Sequence, residues 1–142
     1  MELNSSYLFV YGTLKSDAKN ANANYLHENA VLIGEAKWPG SLYLVSNYPG
    51  AVRSNQGDRF VIGELWKLND ADRLLSTLDE YEECAPSSPE PHEYIRSLEL
   101  VACGKEEIQA WVYIYNLEVA HLQMIESGNF SNQNQQLIRR PR

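Results

Sequence analysis

Tyr7-Leu8-Phe9-Val10-Tyr11-Gly12-Thr13-Leu14-Lys15 decides how the rest of the chain is read. Five apolar or aromatic residues run without interruption and stop at a glycine. The run is too short for a helix and rich in β-formers, so it reads as a buried strand. Gly12 ends it and permits a backbone turn that a side chain would block. Such a turn leaves the amides of Gly12, Thr13 and Leu14 without ladder partners, and convergent unpaired amides form a small anion-binding concavity. A lone glycine without a GxxxxGK[ST] pattern is not a phosphate loop. An ordinary core strand closed by a tight turn would use the same residues, and both readings stand at this point.

Beyond the turn, residues 16–24 are small, polar and asparagine-rich and read as a loop leading into a short helix near Tyr25–Glu28. Val31–Trp38 and Ser41–Val45 read as two strands paired as a hairpin around Pro39-Gly40, a strong turn signal. Asn47-Tyr48-Pro49-Gly50 is a further turn, with Ala51–Arg53 a short strand after it. Phe60–Leu68 is a clear strand. Asn69 or Asp70 can cap the next element, and Asp70–Glu83 carries Ala71, Leu74, Leu75, Leu78 and Tyr81 at helical spacing. Cys84–Glu93 holds Pro86, Pro89 and Pro91 and cannot continue the helix. Tyr94–Ala102 and Glu107–Tyr115 are strands joined by a hairpin turn at Cys103–Glu106. Leu117–Glu126 is expected as a short helix closed by Gly128. Many short strands with one main helix predict an α+β fold whose mixed, largely antiparallel sheet closes in barrel fashion. Residues 1–130 form one domain in this reading, and residues 131–142 a polar tail.

Composition narrows the function classes. The chain has 142 residues, a net charge of −7 and a pI of about 4.9. A general nucleic-acid binder needs a basic footprint that is missing here. No apolar run approaches the ~20 residues of a membrane helix. The N-terminus lacks the basic-then-apolar pattern of a signal peptide, so a cytoplasmic protein is expected. Cys84 and Cys103 make no disulfide framework, and His27, His92 and His121 lack metal-ligand spacing.

The helix carries a carboxylate on its apolar side. At about 100° per residue, Glu82 falls four positions after Leu78 and seven after Leu75, on the apolar stripe. Glu80 and Glu83 point away from it. A carboxylate on that stripe loses solvation, which suits general acid–base work near neutral pH. A helix that stops a residue or two earlier would leave Glu82 simply solvated.

Phe9–Lys15, Gly40-Ser41-Leu42-Tyr43, Tyr48-Pro49-Gly50-Ala51, Gly63-Glu64-Leu65, Leu78–Glu82, Tyr94-x-Arg96 and Ala110-Trp111-Val112-Tyr113 occur in that order. The ordered set, over roughly residues 7–130, resembles the γ-glutamylcyclotransferase-like family, in particular its AIG2-like and γ-glutamylamine cyclotransferase branch. The resemblance implies a barrel-like α+β domain with its site at one barrel mouth. It implies that the free α-amine of a γ-glutamyl compound attacks its own γ-carbonyl, releasing 5-oxoproline and an amine. Tyr11, Gly12, Thr13 and Leu14 would hold the substrate's α-carboxylate through backbone amides, and Glu82 would be the catalytic acid–base. Tyr94, Tyr113 and Tyr115 are candidates for the pocket wall, with core packing as their other reading. No cofactor and no metal are implied, because the nucleophile belongs to the substrate. The only partner implied is the small-molecule substrate. Two departures bear on the leaving amine: Glu83 stands where the family often has glycine, and the proline-rich stretch before Tyr94 is long.

Two other functions use the same sequence. A binding module could keep the pocket without releasing 5-oxoproline. A hydrolase could use Cys84 or Cys103 as nucleophile, although no Cys–His arrangement is recognisable.

Overall fold

The computed structural model describes residues 5–54, 57–82 and 84–132. Its centre is β1 (Tyr7–Val10), the strand expected from the opening run. β1 lies between β4 (Phe60–Leu68), which it pairs antiparallel, and β6 (Glu106–Tyr115), which it pairs parallel. Its apolar residues do not alternate with polar ones because both faces are covered. Leu8 and Val10 pack with Leu74, Leu75 and Leu78 of helix α2 (Ala71–Tyr81). Phe9 packs with Trp38, Leu42, Val61 and Leu65 in a cluster to which no helix contributes, the inside of the barrel.

Five strands close that barrel in the order β2 (Ala30–Leu44), β4, β1, β6, β5 (Tyr94–Cys103), with Lys37 of β2 pairing Ala102 of β5. The fold is α+β and the sheet mixed, with β1–β6 the parallel pair. β5 and β6 form the expected hairpin, turning on Gly104 at φ +63°. Helix α1 (Ala21–Glu28) begins four residues before the expected Tyr25, because Asn20 Oδ1 accepts from Ala23 N at 2.8 Å and caps it. Among the described residues no helix is long and apolar enough to cross a membrane.

Two local expectations are overturned. The hairpin around Pro39-Gly40 does not form, and β2 runs unbroken from Ala30 to Leu44. Pro39 ends the pairing with β4, opposite Phe60, and Gly40 begins the pairing with β3 (Pro49–Arg53), opposite Arg53. A strand tolerates proline where a ladder donor is not required. Gly40 serves close packing: a Cβ there would lie 2.7 Å from the Trp38 ring and from Val52 O. Likewise, Leu117–Glu126 is not a helix. It contains a turn, Leu122 N to Val119 O at 2.9 Å, and then β7 (Gln123–Met124), which pairs with Tyr43 and Leu44 of β2. The backbone of β2 offers a partner, and that tertiary pairing overrides a weak helical preference. Gly128 is a turn glycine at φ +71°. A Cβ on it would meet Phe60 O at 2.1 Å. Most of the expected polar tail lies outside the described residues.

Candidate active site

An open cavity lies where β1 ends, β5 begins and α2 terminates. Tyr11, Gly12, Thr13, Leu14, Glu82, Tyr94 and Tyr113 all line it. Tyr115 does not: it packs edge-on against Tyr94 with ring centroids 5.5 Å apart. Phe9, Val10, Tyr48, Pro49, Tyr81 and Glu93 complete the wall. Two carboxylates therefore face the cavity, and no lysine or arginine is among the described residues that line it.

The turn after β1 is built by its own sequence and by distant side chains. Lys15 N closes it onto Gly12 O at 3.1 Å. The amides of Gly12, Thr13 and Leu14 make no backbone hydrogen bond among the described residues. The Gly12 backbone is not left-handed. Its lack of a side chain serves a close approach, since a Cβ would lie 2.7 Å from Pro49 Cγ. Thr13 Oγ1 and Tyr81 Oη are 2.8 Å apart, which ties the turn to the last residue of α2.

Helix α2 stops at Tyr81 instead of Glu83, and Glu82 is its C-cap. The Glu82 amide still donates to Leu78 O at 2.9 Å, so its side chain leaves the helix near the direction that helical periodicity assigns it. Glu82 is half-buried in the cavity wall. The helix ends early, and the carboxylate faces the cavity nonetheless. Glu83 lies outside the described residues.

The helix end is anchored from below. Arg96 Nε and Nη2 donate to the two oxygens of Asp79 at 2.8 and 3.1 Å, and Tyr113 Oη donates to Asp79 Oδ1 at 2.7 Å. Arg96 also lies over the Trp111 ring, 4.3 Å from its centroid. Burial works against the guanidinium charge, but the hydrogen bond and charge of Asp79 outweigh it and raise its pKa. Two planar groups joined by paired bonds resist rotation, so the end of α2 is fixed against β5.

The tyrosines are framework groups. Tyr11 Oη donates to Tyr113 O at 2.6 Å and accepts from Ala51 N at 3.2 Å. Tyr94 Oη donates to Pro49 O at 2.6 Å. Burial, and then neighbouring carboxylates including Glu82, push the Tyr11 and Tyr113 phenols far above their ordinary value; Tyr94 rises mainly through burial. All three stay neutral, and each hydroxyl proton is already engaged. Their rings shape the wall.

Cys84 is a poor nucleophile. Burial, then Asp79 and Glu82, push its thiol up to about 12, so almost no thiolate forms near neutral pH. Cys103 lies outside the cavity wall. The thiol-hydrolase reading loses its support.

Sequence reasoning missed Glu93, whose carboxylate accepts from Tyr48 Oη. It stands at the end of a proline-rich loop with no periodicity to mark its direction. At about 100° per residue Asp79 falls only on the flank of the apolar stripe. The motif Tyr94-x-Arg96 held the signal for its partner, since alternate strand residues share a face.

The γ-glutamyl cyclotransferase, AIG2-like family model matches residues 8–132. The γ-glutamylcyclotransferase family protein YtfP of Citrobacter rodentium is 34% identical over 129 residues, 90% of this chain and 97% of that protein. YtfP of Escherichia coli K12 is 33% identical over 124 residues, 87% and 94% of the two chains. The solution structure of E. coli YtfP superposes with a TM-score of 0.61 at 31% identity, covering 90% of this chain and 98% of that one. The crystal structure of a mouse AIG2-like protein superposes with a TM-score of 0.67 at 24% identity, covering 90% and 89%, a likeness of fold. The fold and site thus define a γ-glutamylcyclotransferase-like protein. The chain belongs to the AIG2-like family of γ-glutamyl cyclotransferases.

Proposed function

We propose that the protein is a cytoplasmic enzyme that cyclises the γ-glutamyl group of a small molecule, releasing 5-oxoproline and a free amine. One observation carries this reading: Glu82 and the β1-turn residues Gly12, Thr13 and Leu14 line one cavity, and no cationic side chain lines it among the described residues. An anionic substrate group in such a cavity must be met by main-chain donors, and the turn supplies them. In this reading the α-carboxylate takes the turn amides, which brings the α-ammonium to Glu82.

Glu82 removes one ammonium proton. The freed nitrogen lone pair attacks the γ-carbonyl carbon, and the carbonyl electrons move to oxygen. The carbonyl re-forms and the C–N bond to the leaving amine breaks as Glu82 returns its proton to that nitrogen; the ring nitrogen gives its second proton to Glu82, which passes it to the released amine. The ring closes as 5-oxoproline, and no water is consumed. Holding nucleophile and electrophile together in one molecule supplies the orientation, and Glu82 supplies proton transfer.

The test is 5-oxoproline release from a panel of γ-glutamyl amino acids, γ-glutamylamines and glutathione. Turnover of at least one member that disappears in Glu82→Gln supports the reading. Saturable binding of panel members with no 5-oxoproline from any would make the protein a binding module.

A further inference from the structure

Three consecutive carbonyls of the β1 turn are each held by a side chain. Asn132 Nδ2 donates to Gly12 O at 2.9 Å, and Asn20 Nδ2 donates to Thr13 O at 2.8 Å. His27 Nε2 lies 3.0 Å from Leu14 O. A trans peptide holds its C=O and the following N–H antiparallel within one plane, and the turn contains no cis bond. Fixing Gly12 C=O therefore fixes the direction of Thr13 N–H. Fixing Thr13 C=O fixes Leu14 N–H in the same way. Thr13 and Leu14 belong to the cavity wall, and neither amide is used in backbone pairing among the described residues.

We propose that Asn132 and Asn20 are positioning residues that aim the Thr13 and Leu14 amides at the substrate's α-carboxylate. The inference rests on the γ-glutamyl reading of the cavity. Asn132 is the more constrained of the two. It is 7% exposed, and both protons of its side-chain amide are used: one goes to Gly12 O and the other to Asp17 Oδ1 at 2.8 Å. Its backbone N–H goes to Asp17 Oδ2 at 3.3 Å. The segment that delivers it is fastened along its length. Gly128 O accepts from Ile62 N at 2.7 Å, and the buried Lys15 ammonium donates to Phe130 O. The last described residues thus return to the turn that walls the cavity. With no cation among the described wall residues, amide direction is what determines how well an anion binds.

The test compares 5-oxo-L-proline with 2-pyrrolidone, the same ring without the carboxylate, on the full-length protein. In ¹H–¹⁵N spectra, 5-oxo-L-proline shifts the Thr13 and Leu14 amides of the wild type, and 2-pyrrolidone leaves them in place. In Asn132→Ala, affinity for 5-oxo-L-proline falls about tenfold, the scale of one misdirected charge-assisted hydrogen bond, while 2-pyrrolidone binds as before. Asn20→Ser keeps an oxygen at the N-cap but loses the donor to Thr13 O. It gives the same selective loss, and carries the test if Asn132→Ala does not fold. Equal loss of both ligands, unchanged affinity for 5-oxo-L-proline, or wild-type amides that ignore its carboxylate would overturn the proposal. Amides that respond in a protein releasing no 5-oxoproline would sink the proposed reaction and leave the positioning role intact.

Discussion

Glu82 shows how the setting of one residue comes from its neighbours. It is the C-cap of α2, where a carboxylate gains nothing from the helix dipole, since cations are favoured at a helix C-terminus. The position serves the cavity instead. In the proposed cyclisation the α-amine attacks only when unprotonated, so that reaction needs a base before it needs anything else. Glu82→Gln keeps the shape and loses the proton acceptor. Turnover should fall on the order of 10²–10⁴-fold, the range for a lost general base, with folding and ligand binding retained. Glu80 is exposed outside the cavity wall, and Glu80→Gln should stay within about twofold of wild type, as a surface change away from the site. The check is 5-oxoproline release at matched unfolding midpoints. A Glu82→Gln variant with more than about a tenth of wild-type turnover removes Glu82 from the mechanism.

At the scale of elements, α2 and β5 are joined by the Asp79–Arg96 pair, and β3 and β5 by Arg53 and Glu99. Arg53 Nη2 lies 2.6 Å from Glu99 Oε2, Ser97 Oγ donates to the same oxygen at 2.6 Å, and Trp38 Nε1 donates to Glu99 Oε1 at 3.3 Å. Burial alone would raise the Glu99 pKa. The Arg53 and Ser97 hydrogen bonds, the Arg53 charge and the Trp38 donor together outweigh it and lower the pKa from 4.5. A depressed folded pKa contributes stability that is fully present above the unfolded value and is lost as pH falls through the folded one. Wild type should therefore be more stable than Glu99→Gln at pH 6–7, and chemical denaturation should show that gap closing below about pH 4. A gap that stays constant down to pH 3 contradicts this. The loop from Cys84 to Glu93 makes a second element-scale case. It has three prolines, and Ser88 N to Ala85 O at 2.9 Å is its one backbone bond that stays within the loop among the described residues. Its amides should exchange with solvent faster than those of β4, whose bonds lie between β1 and β2. Exchange as slow as in β4 would show a rigid rim.

Over the whole molecule, charge bears on which amine the proposed reaction would release. The chain carries −7, Glu82 and Glu93 face the cavity, and no described lysine or arginine balances them there. A cavity walled by one sign of charge concentrates the other. Among γ-glutamyl conjugates of 1,4-diaminobutane, butylamine and 4-aminobutyrate, kcat/KM should fall in that order. A roughly tenfold spread at low salt should shrink as salt is added. Equal rates for the first and last conjugates would rule out the cavity field as a selector. Much of this molecule was legible in its sequence because it is local. The apolar run ending at Gly12, the Phe60–Leu68 strand, the leucine stripe of α2 and the carboxylate following it are written in spacing alone. Helical periodicity puts Glu82 on the apolar stripe but leaves a solvated side chain equally open, and it lies in the cavity wall. What the tertiary structure decided depends on partners far along the chain. β2 continues through Pro39-Gly40 because β4 and β3 receive its two halves, and Gln123–Met124 is a strand because β2 lies beside it. Asn132 reaches Gly12 across 120 positions. A backbone donor or a side-chain amide is satisfied by whatever the fold brings within about 3 Å, and a local pattern cannot specify that neighbour.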